Sequence, residues 1–224
     1  MAKTFINEKE QERISVAVKE AEKSTSGEIA TALIGESSDY ALYELVFSLC
    51  IGFVYFSSLL FFYPSVSVWL GNLFWDAPEW YVTAFYGIST VLVVGLVYFF
   101  SNMSFVDRLI IPRKVLREKV RNRALRYFTE SGVYSTRDHT GILIFVSLLE
   151  KRVEVLADQG ISEKIPQNEW NELVAALSRA MRDGQLAGGL CAAVESCGKK
   201  LSKHFPIKSD DSNELSDSVD ILES

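Results

Sequence analysis

The sequence predicts a layered α/β domain interrupted by a two-helix transmembrane hairpin, and three observations carry that expectation. Charged residues vanish twice, from Leu45 to Trp75 and from Trp80 to Val106, with Asp76 and Glu79 between the two stretches. Short strand-like apolar runs alternate with amphipathic helical segments on either side of that gap. The helix and strand that precede the gap cannot bury a core alone, so their partners must follow it. Composition agrees: 224 residues carry a net charge of −6, with 48% hydrophobic and 23% charged residues. Those averages exclude a disordered, a collagen-like or a disulfide-dense secreted chain. They hide where the apolar residues sit.

In chain order, Asn7 and Glu10 have the spacing of a capping box, which satisfies free amide groups at a helix start. Ile14, Val18 and Ala21 recur at helical spacing, Gly27 ends the element, and Glu28 to Ile34 reads as a strand. After the gap, Arg113 to Glu130 is a basic amphipathic helix with Leu116, Val120, Ala124 and Phe128 on one stripe, stopped by Gly132. Gly141 to Leu148 is a nearly continuous apolar run, as a strand buried on both faces requires. Val153 to Ala157 is a second strand after a tight connection at Leu149–Arg152, broken by Gly160. Asn168 to Arg182 is a helix with Trp170, Leu173, Val174 and Leu177 inward. Gln185 to Leu201 is another, with Leu186, Leu190, Val194 and Leu201 inward and Gly188–Gly189 allowing close packing. The organisation expected is a discontinuous cytoplasmic domain, 1–42 with 105–206, a hairpin over 43–104, and an acidic tail over 207–224. That tail has six acids against Lys208 alone, which predicts disorder. The sequence holds no internal repeat and no Gly-rich phosphate loop.

The spans cover about 45–63, closed by Pro64, and about 81–102; a bilayer needs roughly 20 apolar residues in a helix. Aromatic residues crowd their ends, among them Tyr63, Trp69, Trp75, Trp80, Tyr81 and Tyr98, where a ring with a polar tip suits the headgroup level. Lys3, Lys9, Arg13, Lys19 and Lys23 precede the first span, and eight basic residues between Arg108 and Arg126 follow the second. The loop 64–79 has none. Positive charge stays inside, so both termini are expected in the cytoplasm and the Trp-rich loop outside. The three cysteines, Cys50, Cys191 and Cys197, show no CxxC spacing and read as reduced structural thiols.

A resemblance enters on particular residues. Ser26-Gly27-Glu28-Ile29, Asp138-His139-Thr140-Gly141 with the run Ile142 to Glu154, Ala157-Asp158-Gln159-Gly160-Ile161, Trp170 and His204-Phe205-Pro206 together resemble the TPM-domain family. The pattern covers about residues 5–40 and 110–206. Within the family the chain is similar to bacterial membrane-anchored members that carry a two-helix hairpin after the first strand. The resemblance implies an α/β/α sandwich around a small mixed sheet, and a bacterial plasma (inner) membrane. It also brings the roles attached to some members: thylakoid repair, phosphatase activity and divalent-ion binding. Many members sit outside the cytoplasm behind a signal peptide, whereas the charge bias here puts the domain inside.

Candidate chemistry is thin. Glu28, Asp138, Glu150 and Asp158 stand at strand edges, where ligands of α/β sheets gather. Glu28 and Asp138 precede strands while Glu150 and Asp158 follow them, so the two pairs are expected at opposite ends of the sheet. Asp158 before Gly160 fits either an oxygen-ligated ion or a turn aspartate bonding its own backbone. Glu28, Asp138 and Asp158 are the metal or ligand candidates, and Ca²⁺ or Mg²⁺ the ion they would take. His139 reads as a turn residue and His204 as a cation near the negative end of a helix. A phosphatase would also need a nucleophile and an anion cradle, for which Ser26-Gly27 and Thr140-Gly141 are the only offers. Arg108, Arg113, Lys114, Arg117, Lys119 and Arg121 lie just past the second span and read as a membrane-surface collar, each worth about 1 kcal/mol on anionic headgroups. Lipid binding explains them without nucleic acid. The expected function is a non-enzymatic membrane-anchored module that binds a protein partner or divalent ion and aids assembly or maintenance of a membrane complex. The alternative is a divalent-ion-assisted phosphatase near the inner membrane surface.

Overall fold

Residues 6–74, 78, 80–101, 104–208 and 211–223 are described by a computed structural model, the side chains of residues 104 and 105 excepted. In chain order the elements are α1 (Glu8–Glu22), β1 (Glu28–Ile34), α2 (Ala41–Phe61), α3 (Tyr63–Leu73), α4 (Trp80–Ser101), α5 (Ser104–Ile110), α6 (Arg113–Glu130), β2 (Gly141–Ser147), β3 (Arg152–Ala157), α7 (Gln159–Lys164), α8 (Asn171–Arg182), α9 (Leu186–His204) and β4 (Val219–Leu222). They form two units, Met1–Ser38 with Lys114–Ser224, and Asp39–Arg113.

The first unit is built on a four-stranded mixed sheet of order β3-β2-β1-β4, with β1 parallel to β2 and β4 and β3 antiparallel to β2. All seven residues of β1 and of β2 are buried, because helices cover both faces. The alternation of side chains divides them. Ile29 and Leu33 with Ile142, Ile144 and Val146 join one core with α1, α8 and α9, around the fully buried Trp170. Ala30, Ala32 and Ile34 with Leu143 and Phe145 join a second core with Val120, Ala124, Tyr127 and Phe128 of α6. The unit is thus the α/β/α sandwich expected.

Local chemistry sets the ends of these elements. Asn7 and Glu10 form the reciprocal capping box at α1, with N···O distances of 2.8 and 2.9 Å. Gly132 ends α6 at φ +80, a left-handed conformation that costs glycine little. Gly189, rather than Gly188, is the close-packing glycine of α9: a Cβ there would stand 2.5 Å from Ala180 Cβ, while one at Gly188 would meet open space.

The C-terminal segment departs from the expectation of disorder. Residues 219–222 pair in parallel with Thr31–Ile34 as β4, Val219 is buried, and Leu215 and Leu222 pack on the second core. Val219 and Ile221 alternate with Asp220, and β1 offers an open ladder of backbone groups. Backbone pairing with apolar anchoring outweighs the unfavourable composition. Asp210 lies outside the described residues.

The second unit pairs α2 with α4. The helices have 21 and 22 residues and are long and apolar enough to cross a membrane. Protein covers only 17% and 6% of their apolar windows, unlike the core helix of a soluble domain. Gly52 lets them approach, since a Cβ there would fall 2.3 Å from Val94 Cγ2. Tyr86 Oη donates to the Leu59 carbonyl at 2.6 Å. Pro64 follows α2 and stands in the first turn of α3, where its missing N–H costs nothing. Trp75, Asp76 and Glu79 of the connecting loop lie outside the described residues.

Candidate functional site

Strand direction gathers three of the four strand-edge carboxylates at one end of the sheet. Glu28 opens β1 and pairs with Gly141, at the start of β2. Because β3 runs antiparallel to β2, its last residues return to that same end, and Asp158 N donates to the Gly141 carbonyl at 2.9 Å. Asp158 therefore sits with Glu28 and Asp138, which corrects the expectation of opposite ends; Glu150 alone lies at the other. The tight Leu149–Arg152 connection carried this signal, since so short a link joins antiparallel strands only.

The loop into β2 is tightly fixed. Thr140 Oγ1 donates to the Ser26 carbonyl at 2.9 Å, Glu28 N to the Thr140 carbonyl at 3.1 Å, and Thr140 N to Thr136 Oγ1 at 3.0 Å. His139 adopts φ +53, and its Nδ1 lies 3.1 Å from Asp158 Oδ2. Asp158, 8% exposed, caps α7 by accepting from Gln159 N at 2.6 Å. This is the backbone bond that one of the two readings of Asp158 describes. Gly160 lies in the first turn of α7 with ordinary φ, and its lack of a side chain serves proximity: a Cβ would stand 2.7 Å from the His139 carbonyl oxygen and 3.0 Å from that of Asp138.

Each candidate carboxylate is engaged by the protein. Lys208 Nζ donates to Asp138 Oδ2 at 2.6 Å, with Arg137 3.8 Å away, and Lys208 holds that carboxyl below its ordinary range. Glu28, 5% exposed, accepts from Leu215 N at 3.3 Å, and burial pushes its carboxyl up, opposed by backbone donors and reinforced by Glu214. Among the described residues no three His, Cys, Asp or Glu side chains are grouped to hold a metal ion. In this arrangement Lys208 Nζ stands at Asp138 Oδ2, where a cation would have to approach. Beside it, Ser26, Asp138, Thr140, Lys164, His204 and Lys208 line a cleft of about 450 Å³. His204 is in the last turn of α9.

Several residues that the sequence did not single out complete this region. Glu22 Oε1 accepts from Ile29 N at 2.8 Å. Its carboxyl is pushed up to about 8, first by burial and further by Glu28 and Asp217. Arg137 N donates to Glu214 Oε2 at 2.9 Å, so the acidic segment folds back along the carboxylate end. At the opposite end Glu150 is buried in a closed network: it accepts from Ser37 N at 2.9 Å and from the Ser147 hydroxyl, to which Ser37 Oγ also donates at 2.8 Å. Of the basic residues, Arg113, Lys114, Arg117, Lys119 and Arg121 are exposed along α6, while Arg108 belongs to α5 and is half-buried.

An α/β/α sandwich with an apolar two-helix insert defines the class. Residues 108–200 match the family model described as TPM domain. A solved structure with the same fold is the NMR structure of BA42 protein from the psychrophilic bacterium Bizionia argentinensis, at TM-score 0.58 and 20% identity, covering 99% of this chain and 99% of that one. No curated protein sequence matches the chain.

Proposed function

We propose that this protein is a membrane-anchored TPM module that holds its α/β domain at the cytoplasmic face of a bacterial plasma membrane. There the domain binds a protein partner and aids assembly or maintenance of a membrane complex. One observation carries this reading: the two apolar helices are spliced between β1 and α6, inside the crossover that links parallel strands β1 and β2. A domain interrupted in this way is tethered at two points rather than hung from one flexible end. The exposed basic residues of α6 are suited to anionic headgroups. The engaged state of Glu28, Asp138 and Asp158 favours a binding role over hydrolysis.

Membrane-impermeant thiol labelling of intact cells tests the orientation. With Cys50→Ala as background, Ser67→Cys should label and Ser212→Cys should not; the reverse pattern sinks the proposal. Crosslinking in the native membrane should then capture a partner complex that is lost when the domain is deleted.

The placement of Glu28, Asp138 and Asp158 at one end of the sheet, with Ser26 and Thr140 lining a cleft beside Asp138, favours a second reading, a divalent-ion-assisted phosphatase. An ion there would require Lys208 to leave Asp138. Hydrolysis of a generic phosphomonoester by the purified protein, abolished by Asp158→Ala, would establish it. Absence of any rise in melting temperature with millimolar Ca²⁺ or Mg²⁺ would remove it.

A further inference from the structure

Without residues 219–222, β1 would be the edge of the sheet. Its outer ladder is completed by four residues in register, Thr31 with Val219 through Ile34 with Leu222. The added strand is gripped from both faces. Val219 enters the core on the α1 side, while Leu222, with Leu215 ahead of it, packs against the second core, to which Ala30, Ala32, Ile34 and Val120 belong. α6 reads the polar positions: Tyr127 Oη donates to the Asp220 carboxylate, and Arg123 Nη2 donates to the Glu223 carbonyl at 3.2 Å. Backbone pairing for affinity and alternate side-chain contacts for selectivity are the hallmarks of peptide recognition by strand addition.

The hold on this strand is modest. It is four residues long, Ile221 is 36% exposed, and Asp220 and Glu223 are exposed. The described residues between Ile207 and Ser218 form no helix or strand, so the segment has slack to leave without unwinding another element.

We infer that the outer edge of β1, roofed by α6, is a docking site for an extended acidic–apolar strand, filled in the isolated chain by its own residues 219–223 and open to a partner strand of the same chemistry when that segment leaves. The partner strand would run parallel to β1, with apolar side chains at alternate positions and an acid facing Tyr127. This names a surface for the partner binding proposed above and rests on that reading for its biological role. The test below addresses the surface alone, so its failure would leave the labelling result untouched.

The probe is a fluorescent synthetic peptide of residues 211–223, titrated into the full-length protein in detergent and into a chain ending at Lys208. The shortened chain should bind the peptide saturably, at least tenfold more tightly than the intact chain. Val219→Asp or Asp220→Lys within the peptide should lose at least tenfold. Full-length protein carrying Val219→Asp, in which the strand is unseated but present, should gain binding to a similar degree. A shortened or Val219→Asp chain that melts cooperatively yet takes up no peptide overturns the inference. So does an intact chain that binds as well as the shortened one. Loss of the cooperative melt in both variants makes β4 an obligatory part of the fold and also overturns it.

Discussion

Glu22 closes α1 on a surface that looks solvated in sequence, yet it is half-buried and its carboxyl is raised to about 8. A carboxyl raised by folding is favoured in its protonated form. Its stabilising contribution is complete below the ordinary value of 4.5 and is lost as pH climbs to about 8 and beyond. Glu22→Gln keeps an oxygen to accept from Ile29 N and removes the charge. It should raise the melting temperature at pH 8–9 and leave it nearly unchanged at pH 5; an equal shift at both values would refute the assignment. Glycines give a second residue-scale expectation. A Cβ at Gly141 would fall 1.9 Å from the Val133 carbonyl oxygen, against 2.7 Å for Gly160 and that of His139. Overpacking typically costs about 1–3 kcal/mol. Urea denaturation should show Gly160→Ala within that range and Gly141→Ala beyond it, with the order reversed only if the β2 start can shift.

At the scale of elements, the loop after β1 is tied to the β2–β3 turn by Glu150. Removing this carboxylate as Glu150→Ala strands the Ser37 N–H and the Ser147 hydroxyl. Each buried donor left unpaired costs about 1–3 kcal/mol, so about 2–6 kcal/mol of stability should go, read from the urea midpoint, while Glu150→Gln should retain most of it. Glu150 shows how far the sequence reached. Its place at a strand edge was legible, and β1 and α6 fall at the bounds their patterns define, 28–34 and 113–130, because caps, glycines and apolar periodicity are local signals. The partners of Glu150 were not legible, since Ser37 lies 113 residues away in sequence. β4 was missed for the same reason. Its Val219–Ile221 alternation is short, and its acidic surroundings argue for disorder until β1 is known to offer an unpaired edge. α7 was missed because six residues give too little periodicity to read. The gathering of Glu28, Asp138 and Asp158, by contrast, was within reach of the sequence through the shortness of the β2–β3 link.

At the scale of the molecule, the large exposed hydrophobic side chains divide unevenly. Phe53, Val54, Phe61, Trp69, Trp80, Val91, Leu92 and Phe99 are among the many in residues 39–113, whereas the α/β unit exposes a scattered few, including Val16, Leu125, Tyr134 and Ile207. Isolated apolar side chains are normal on a soluble surface, and a continuous apolar surface is not. The apolar surface that would suit a lipid-like environment therefore belongs to the insert. The two cores of the α/β unit draw entirely on residues outside it. The insert joins β1 to α6, within a parallel β–α–β crossover that natural domains close with short links. Replacing residues 39–113 with a short Gly/Ser linker should give a protein that stays in solution without detergent and melts in one cooperative transition. Its amide exchange should be as slow in β1 and β2 as in the full-length chain. A replacement that precipitates, or whose β1 amides exchange freely, would show that the hairpin is part of the domain's fold.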